Sequence, residues 1–150
     1  MLKPGDPAPD FSGKDETGKL ISLSDFRKKK LALYFYPKDM TSGCTAEACN
    51  LRDNYDILKS RGIAIIGVSA DDAPSHIKFK QKHELPFPLI ADTDKKIIDA
   101  YGVWGAKSFL GRRFMGIQRT TFLIEDGKIA AVIGKVKVDD HARQIMEAFR

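Results

Sequence analysis

An α/β domain organised around a βαβ unit is the fold this 150-residue sequence predicts. Three observations carry that expectation. Two apolar runs, Leu31-Ala-Leu-Tyr-Phe-Tyr36 and Ala64-Ile-Ile-Gly-Val-Ser69, read as strands buried on both faces. Between them Leu51, Tyr55 and Leu58 fall at helical spacing, and Gly62 marks a stop. Further along, Asp126-Gly127 separates two β-rich runs and is a strong hairpin signal.

In chain order, Asp15-Glu-Thr-Gly18 is a turn between two short extended pieces, which predicts an N-terminal hairpin. The strand at 31–36 leads into a helix running to about Lys59, and the strand at 64–69 follows. Pro74–His83 is a second helix, with Pro74 suited to its first turn. Phe87–Ala91 reads as a short strand and Thr93–Tyr101 as a third helix. Arg119–Glu125 and Ile129–Gly134 are the arms of the hairpin, and Val138–Phe149 closes the chain as a helix whose start is marked by Asp139 and Asp140. This order matches a thioredoxin-like fold, with the N-terminal β-hairpin as an extension and the helices after Ser69 as insertions. No repeat or low-complexity linker divides the chain, so residues 1–150 are expected to form a single domain.

A hydrophobic content of 43% and a charged content of 30% describe an ordinary globular protein. No stretch reaches the roughly 18 apolar residues of a membrane helix, so no membrane partner is expected. The segment Met1-Leu-Lys-Pro-Gly-Asp-Pro7 lacks the apolar core of a secretory signal, and a cytoplasmic location is the expectation. The net charge of +5 raises nucleic acid as a partner. Its densest basic run, Arg27-Lys28-Lys29-Lys30, has no interleaved aromatics and directly precedes a strand, so a solvated turn explains it better.

The chain has two cysteines, Cys44 and Cys49. Cys44 falls at the strand-to-helix turn, where backbone N–H groups and the helix dipole favour a thiolate. A second thiol five residues on gives an oxidised first thiol a partner. In a compartment that keeps thiols reduced, such a pair points to catalysis rather than to a permanent cross-link. His76, His83 and His141 have no ligand spacing with either cysteine, so no metal and no other cofactor is expected.

Three separated pieces resemble the peroxiredoxins, and within them the Q-type, or bacterioferritin comigratory protein, branch. They are Pro37-x-x-x-Thr41-x-x-Cys44, the Cys44-Thr-Ala-Glu-Ala-Cys49 spacing, and Gly116-Ile-Gln-Arg119-Thr-Thr-Phe-Leu-Ile124. The resemblance implies a thiol peroxidase acting on hydrogen peroxide and organic hydroperoxides. Cys44 becomes a sulfenic acid, Cys49 forms an intramolecular disulfide with it, and thioredoxin or a similar dithiol protein reduces the disulfide. It also implies that Arg119 reaches the thiol from a strand and that Glu47 holds the arginine. A monomer is expected, with a dimer as the alternative.

The chemistry gives the motif residues distinct tasks. Lowering a thiol pKa from about 8.5 to about 6 raises its ionised fraction about 30-fold, but the lower basicity removes roughly tenfold in nucleophilicity. The site must therefore also stabilise charge on the departing oxygen. Arg119 suits this through its permanent charge and rigid fork of donors. The Thr41 hydroxyl accepts from the peroxide while donating elsewhere, though a threonine there also serves as a helix cap. Pro37 ends the strand without an N–H and keeps the pocket dry. Cys49 has an inert, buried alternative, and Trp104, Phe109, Phe114 and Met115 are divided between an apolar mouth and ordinary packing.

Residues five apart in a helix have Cα atoms roughly 8.6 Å apart, whereas a disulfide needs about 4.4–6.8 Å. Cys44 and Cys49 thus bond only if the first turns unwind. Many Q-type sequences carry proline where this chain has Ser42, so its first turn is expected to be less rigid. Two rival functions stand beside this reading, the second from another class. A thioredoxin-like disulfide oxidoreductase would normally use Cys-x-x-Cys, which is absent here, and a basic binding module would bind nucleic acid without consuming peroxide.

Overall fold

The computed structural model describes residues 2–149. Its centre is a five-stranded sheet in the order β5-β4-β3-β8-β9, formed by β3 (Lys30–Phe35), β4 (Ile63–Ser69), β5 (Leu89–Ala91), β8 (Thr120–Glu125) and β9 (Lys128–Ile133). β3, β4 and β5 run parallel, while β8 is antiparallel to both β3 and β9. The period-two alternation of β3 divides the core between the two faces. Leu31, Leu33 and Phe35 join one buried cluster with Phe11, Ile98, Tyr101 and Phe122. Ala32, Tyr34 and Tyr36 join the other with Cys44, Leu51, Phe79 and Ile145. Both faces of β3 are therefore dry, which is why its sequence is apolar without a break.

The N-terminal hairpin consists of β1 (Ser12–Lys14) and β2 (Leu20–Ser22). Asp15 accepts from the N–H groups of Thr17 and Lys19 and so fixes its turn. The helix expected to run to Lys59 is instead two helices, α1 (Ser42–Asp53) and α2 (Tyr55–Ser60). The break falls at Asn54, whose side chain turns back to donate to the Asn50 carbonyl at 2.8 Å. Such competition with the backbone is a common property of asparagine.

α3 (Ala73–His83) starts one residue before its expected position and is capped by Asp72, which accepts from Ser75 N. α4 (Lys96–Ala100) is shorter than the expected 93–101. Lys95 is left-handed, and the Asp92 carboxylate accepts from the N–H groups of Ile97 and Ile98, so the preceding residues serve as a loop. α5 (His141–Ala148) begins three residues later than expected, after Asp140.

The sequence reading missed one hairpin, β6 (Trp104–Phe109) with β7 (Arg112–Ile117). Its turn puts Leu110 and Gly111 at positive φ, 51° and 78°. Asparagine or aspartate usually takes the first of those positions, so a leucine there hides the turn. At Asp126-Gly127 the expected residues occupy the same geometry, with φ of 51° and 77°. Among the described residues no helix is long and apolar enough to cross a membrane.

Candidate active site

β3 delivers the chain to the site and α1 carries it away. Between them Met40 adopts a left-handed φ of 66°, unusual for a non-glycine residue. Thr41 occupies the N-cap position, and Cys44 is the third residue of the helix and almost fully buried. The Sγ atom therefore lies in the first turn, where unpaired N–H groups and the helix dipole concentrate positive potential. The Thr41 side chain makes no cap bond; its hydroxyl donates to the Lys38 carbonyl at 2.8 Å. Its lone pairs remain available to accept from a ligand.

Asp39, absent from the sequence-based site, pins this loop. Its buried carboxylate accepts from Tyr36 Oη at 2.7 Å, Ser75 Oγ at 2.8 Å and His76 Nδ1 at 2.7 Å. Its own N–H donates to Asp71 Oδ2 at 2.9 Å. The other nitrogen of His76 lies 3.0 Å from the Ile90 carbonyl, so both ring nitrogens face acceptors and both carry protons. Burial opposes that charge, but the Asp39 carboxylate outweighs it and holds His76 above its usual pKa. Asp39, Asp71 and His76 have ligand atoms close enough to surround a cation, yet Asp39 and His76 are already engaged with each other and their neighbours. The cluster is an anchor for a strained loop.

Arg119 lies in the connection between β7 and β8, one residue before β8 begins, and not within a strand as expected. The β3–β8 register pairs Phe35 with Thr120, which brings Arg119 to the end of β3 where the cysteine loop starts. Its Nη2 donates to Cys44 Sγ at 3.3 Å and its Nη1 to Glu47 Oε1 at 2.6 Å. Burial works against the guanidinium charge, but Glu47 and Cys44 hold its pKa above the ordinary value. Gly43 leaves room for this approach, since a Cβ there would lie 3.1 Å from Nη2.

Glu47, one turn after Cys44, is fully buried. Burial pushes its carboxyl up to about 7 against the opposing pull of Arg119. Its second oxygen has no hydrogen-bond partner and lies 3.6 Å from Nε2 of His141. That nitrogen also meets Thr121 Oγ1 at 2.7 Å, while Nδ1 faces Gln144 Oε1 at 2.8 Å. Because Gln144 Oε1 can only accept, Nδ1 carries the proton and Nε2 accepts from Thr121. Burial keeps the His141 imidazole below its usual pKa, and the nearby Arg119 adds to the effect. Sequence reading singled out no role for His141, because nothing local connects it to Glu47.

A groove of about 360 Å³ beside the site is lined by Pro37, Lys38, Trp104, Lys107, Phe114 and Met115. Three of the four candidate mouth residues are thus brought to Pro37, while Phe109 is 66% exposed at the hairpin tip and lies outside the groove. Lys107 also lines the groove, a cation that no local motif marks. Burial and the neighbouring Arg119 lower its pKa, with Cys44 acting in the opposite sense. Cys49 lies on α1 and is half-buried, and both thiols are free.

A guanidinium on a buried helix-start cysteine, braced by a carboxylate one turn later, suits reduction of a polarised bond at sulfur. The AhpC/TSA family model matches residues 4–132. The chain is 44% identical to the peroxiredoxin Bcp of Bacillus subtilis, over 97% of this chain and 94% of that protein. It is a peroxiredoxin of the AhpC/TSA family. The peroxiredoxin Bcp of Escherichia coli K12 is 45% identical over 93% of this chain and 90% of its own. Among solved structures, the bacterioferritin comigratory protein of Xanthomonas campestris, studied for alkyl peroxide reduction, superposes with a TM-score of 0.85. It is 33% identical, covering 92% of this chain and 88% of that one. The peroxiredoxin is thus of the Bcp, or Q, type, with a thioredoxin-like fold, and it is a thiol-dependent peroxidase.

Proposed function

We propose that Cys44 attacks the peroxide and that Cys49 resolves the product, in a single-domain cytoplasmic monomer recycled by thioredoxin or a similar dithiol protein. The observation that supports this most is the Arg119 guanidinium, which bridges Cys44 Sγ and Glu47 at the start of α1. The substrates are hydrogen peroxide and organic hydroperoxides, the second class in keeping with the alkyl peroxide activity of the Xanthomonas relative.

In the first step the Cys44 thiolate attacks the nearer peroxide oxygen and the O–O bond breaks. The other oxygen leaves as water or an alcohol after taking a proton, and Cys44 is left as a sulfenic acid. The N–H groups of the first turn and the Arg119 fork stabilise the charge that moves from sulfur to the leaving oxygen. Thr41, its hydroxyl hydrogen committed to Lys38, accepts from the peroxide and orients it. Pro37 offers no N–H and borders an apolar groove, which keeps water from competing. Glu47 is a positioning residue that fixes the plane of the arginine.

In the second step Cys49 attacks the sulfenic sulfur, water departs and the disulfide forms. Both thiols lie in one helix, so the Cys44 turn must unwind first. The half of α1 carrying Cys49 is the better anchored. Leu51 is fully buried, and Asn50 donates to the Asp139 carbonyl and accepts from Ala142 N.

Stopped-flow oxidation followed by intact-mass measurement tests the assignment. Cys44→Ser abolishes peroxide consumption, because a serine hydroxyl is not ionised near neutral pH. Cys49→Ser keeps the first oxidation and accumulates a species heavier by one oxygen, whereas the wild type loses two hydrogens. A Cys49→Ser protein that still turns over with thioredoxin as sole reductant would remove the resolving role.

A further inference from the structure

The side chain of Cys49 faces the C-terminal end of α3. Its Sγ lies 3.7 Å from Nδ1 of His83. Phe79 packs edge-on against that imidazole, with ring centroids 5.5 Å apart, and sets its plane. Arg52 Nη1 donates to the His83 carbonyl at 2.8 Å and ties the last turn of α1 to the end of α3. The tie sits beyond Cys49 from Cys44. Cys49 therefore keeps its place beside His83 while the Cys44 turn opens.

We propose that His83 is the general base of the resolving step, taking the thiol proton of Cys49 as its sulfur attacks Cys44. The inference rests on the resolving role given to Cys49 above. In the step the Cys49 S–H bond breaks and its proton passes to Nδ1. The sulfur pair forms the S–S bond, and the S–O bond of the Cys44 sulfenic acid breaks. The departing hydroxide takes the proton back from the imidazolium and leaves as water. The Cys49 sulfur is oxidised and the sulfenic sulfur reduced, so no further oxidant is needed.

The surroundings suit the task. An ordinary thiol is only about 3% ionised at neutral pH, so a base within contact distance has a large fraction of the population to act on. His83 meets Cys49 and Arg52 from α1, and Phe79 and Lys82 from its own helix, with Glu84 next in the chain. Burial and the cations Lys82 and Arg52 hold its pKa below the usual value. The ring is thus neutral near pH 7, and with the proton on Nε2 it offers a lone pair at Nδ1. Arg52 also faces Cys49 and favours the negative sulfur as it forms.

The test follows oxidation of wild type, His83→Gln and Cys49→Ser by one equivalent of hydrogen peroxide, from about pH 5.5 to about pH 9.5. Stopped-flow and acid-quenched mass spectra separate sulfenic acid from disulfide. The first oxidation proceeds at the wild-type rate in His83→Gln, while disulfide formation at pH 7 slows by about tenfold or more. The variant's disulfide rate then climbs about tenfold per pH unit as the thiol ionises unaided, and it meets the wild-type rate near the top of the range. The wild-type rate stays level down to the lowered pKa of His83. Disulfide formation in His83→Gln within twofold of wild type at every pH overturns the inference, as does a slowing by one constant factor. Absence of an intramolecular disulfide in the wild type overturns the Cys49 assignment itself, which is a distinct result.

Discussion

Glu47→Gln perturbs the buried carboxyl that holds Arg119. Ionised Glu47 has an orphaned oxygen facing the lone-pair side of His141. Glutamine at that place removes the charge from the orphaned position, and its carbonyl oxygen still accepts from Arg119. The folded carboxyl titrates at about 7 instead of the ordinary 4.5, because burial outweighs the arginine. A folded-state value above the unfolded one means that Glu47 contributes stability that is fully present below pH 4.5 and is lost as pH rises through about 7. At about 1.4 kcal/mol per pH unit, that interval corresponds to about 3 kcal/mol. Glutamine does not titrate, so the stability difference between variant and wild type should move in favour of the variant by about 3 kcal/mol over the interval. Urea unfolding of both reduced proteins at a series of pH values measures it. Peroxide oxidation of the variant should slow about fivefold to tenfold, since a charge-assisted hydrogen bond to Arg119 becomes a neutral one. A stability difference constant to within about 0.5 kcal/mol from pH 4.5 to 8 would refute the reasoning and place the ionised carboxylate at ease in its pocket.

Arg119→Met should slow reaction with hydrogen peroxide by about 10²–10³-fold with the fold retained, and lysine there should rescue poorly for want of the planar fork. Stopped-flow rates within threefold of wild type would make the arginine structural. Gly43→Ala should slow the same step by about tenfold, because a Cβ 3.1 Å from Arg119 Nη2 displaces the guanidinium by a few tenths of an ångström. Its helix content and unfolding midpoint should stay at or above wild type, which separates misplacement from misfolding. Conversion to the disulfide should loosen the first turns of α1, so hydrogen exchange of amides 44–50 should quicken on oxidation; equal protection in both states would contradict the need for unwinding.

Much of the fold was legible because its signals are local. β3 and β4 are short runs of apolar residues, and α3 carries its own cap and its proline. Local rules misjudged the elements whose limits depend on distant or unusual partners. Asp92 shortens α4 by bonding N–H groups five and six residues on. The β6–β7 hairpin turns on Leu110, a residue that composition would not place at positive φ. Arg119 meets Cys44, but the strand expected to carry it begins one residue later.

The sequence by itself determined that a strand feeds a helix whose first turn holds Cys44, and that Cys49 shares that helix. These follow from neighbours within one or two turns, where chain geometry links sequence spacing to distance. Only the tertiary structure decided what meets those sulfurs and their supports. The β3–β8 register brings Arg119 to Cys44 across 75 residues, and packing of α3 puts His83 against Cys49 across 34. The same is true of Asp39 with His76 and of Glu47 with His141. Side chains paired over such separations share no period and no motif, because the register of strands and the seating of helices, rather than the run of the chain, set the distance between them.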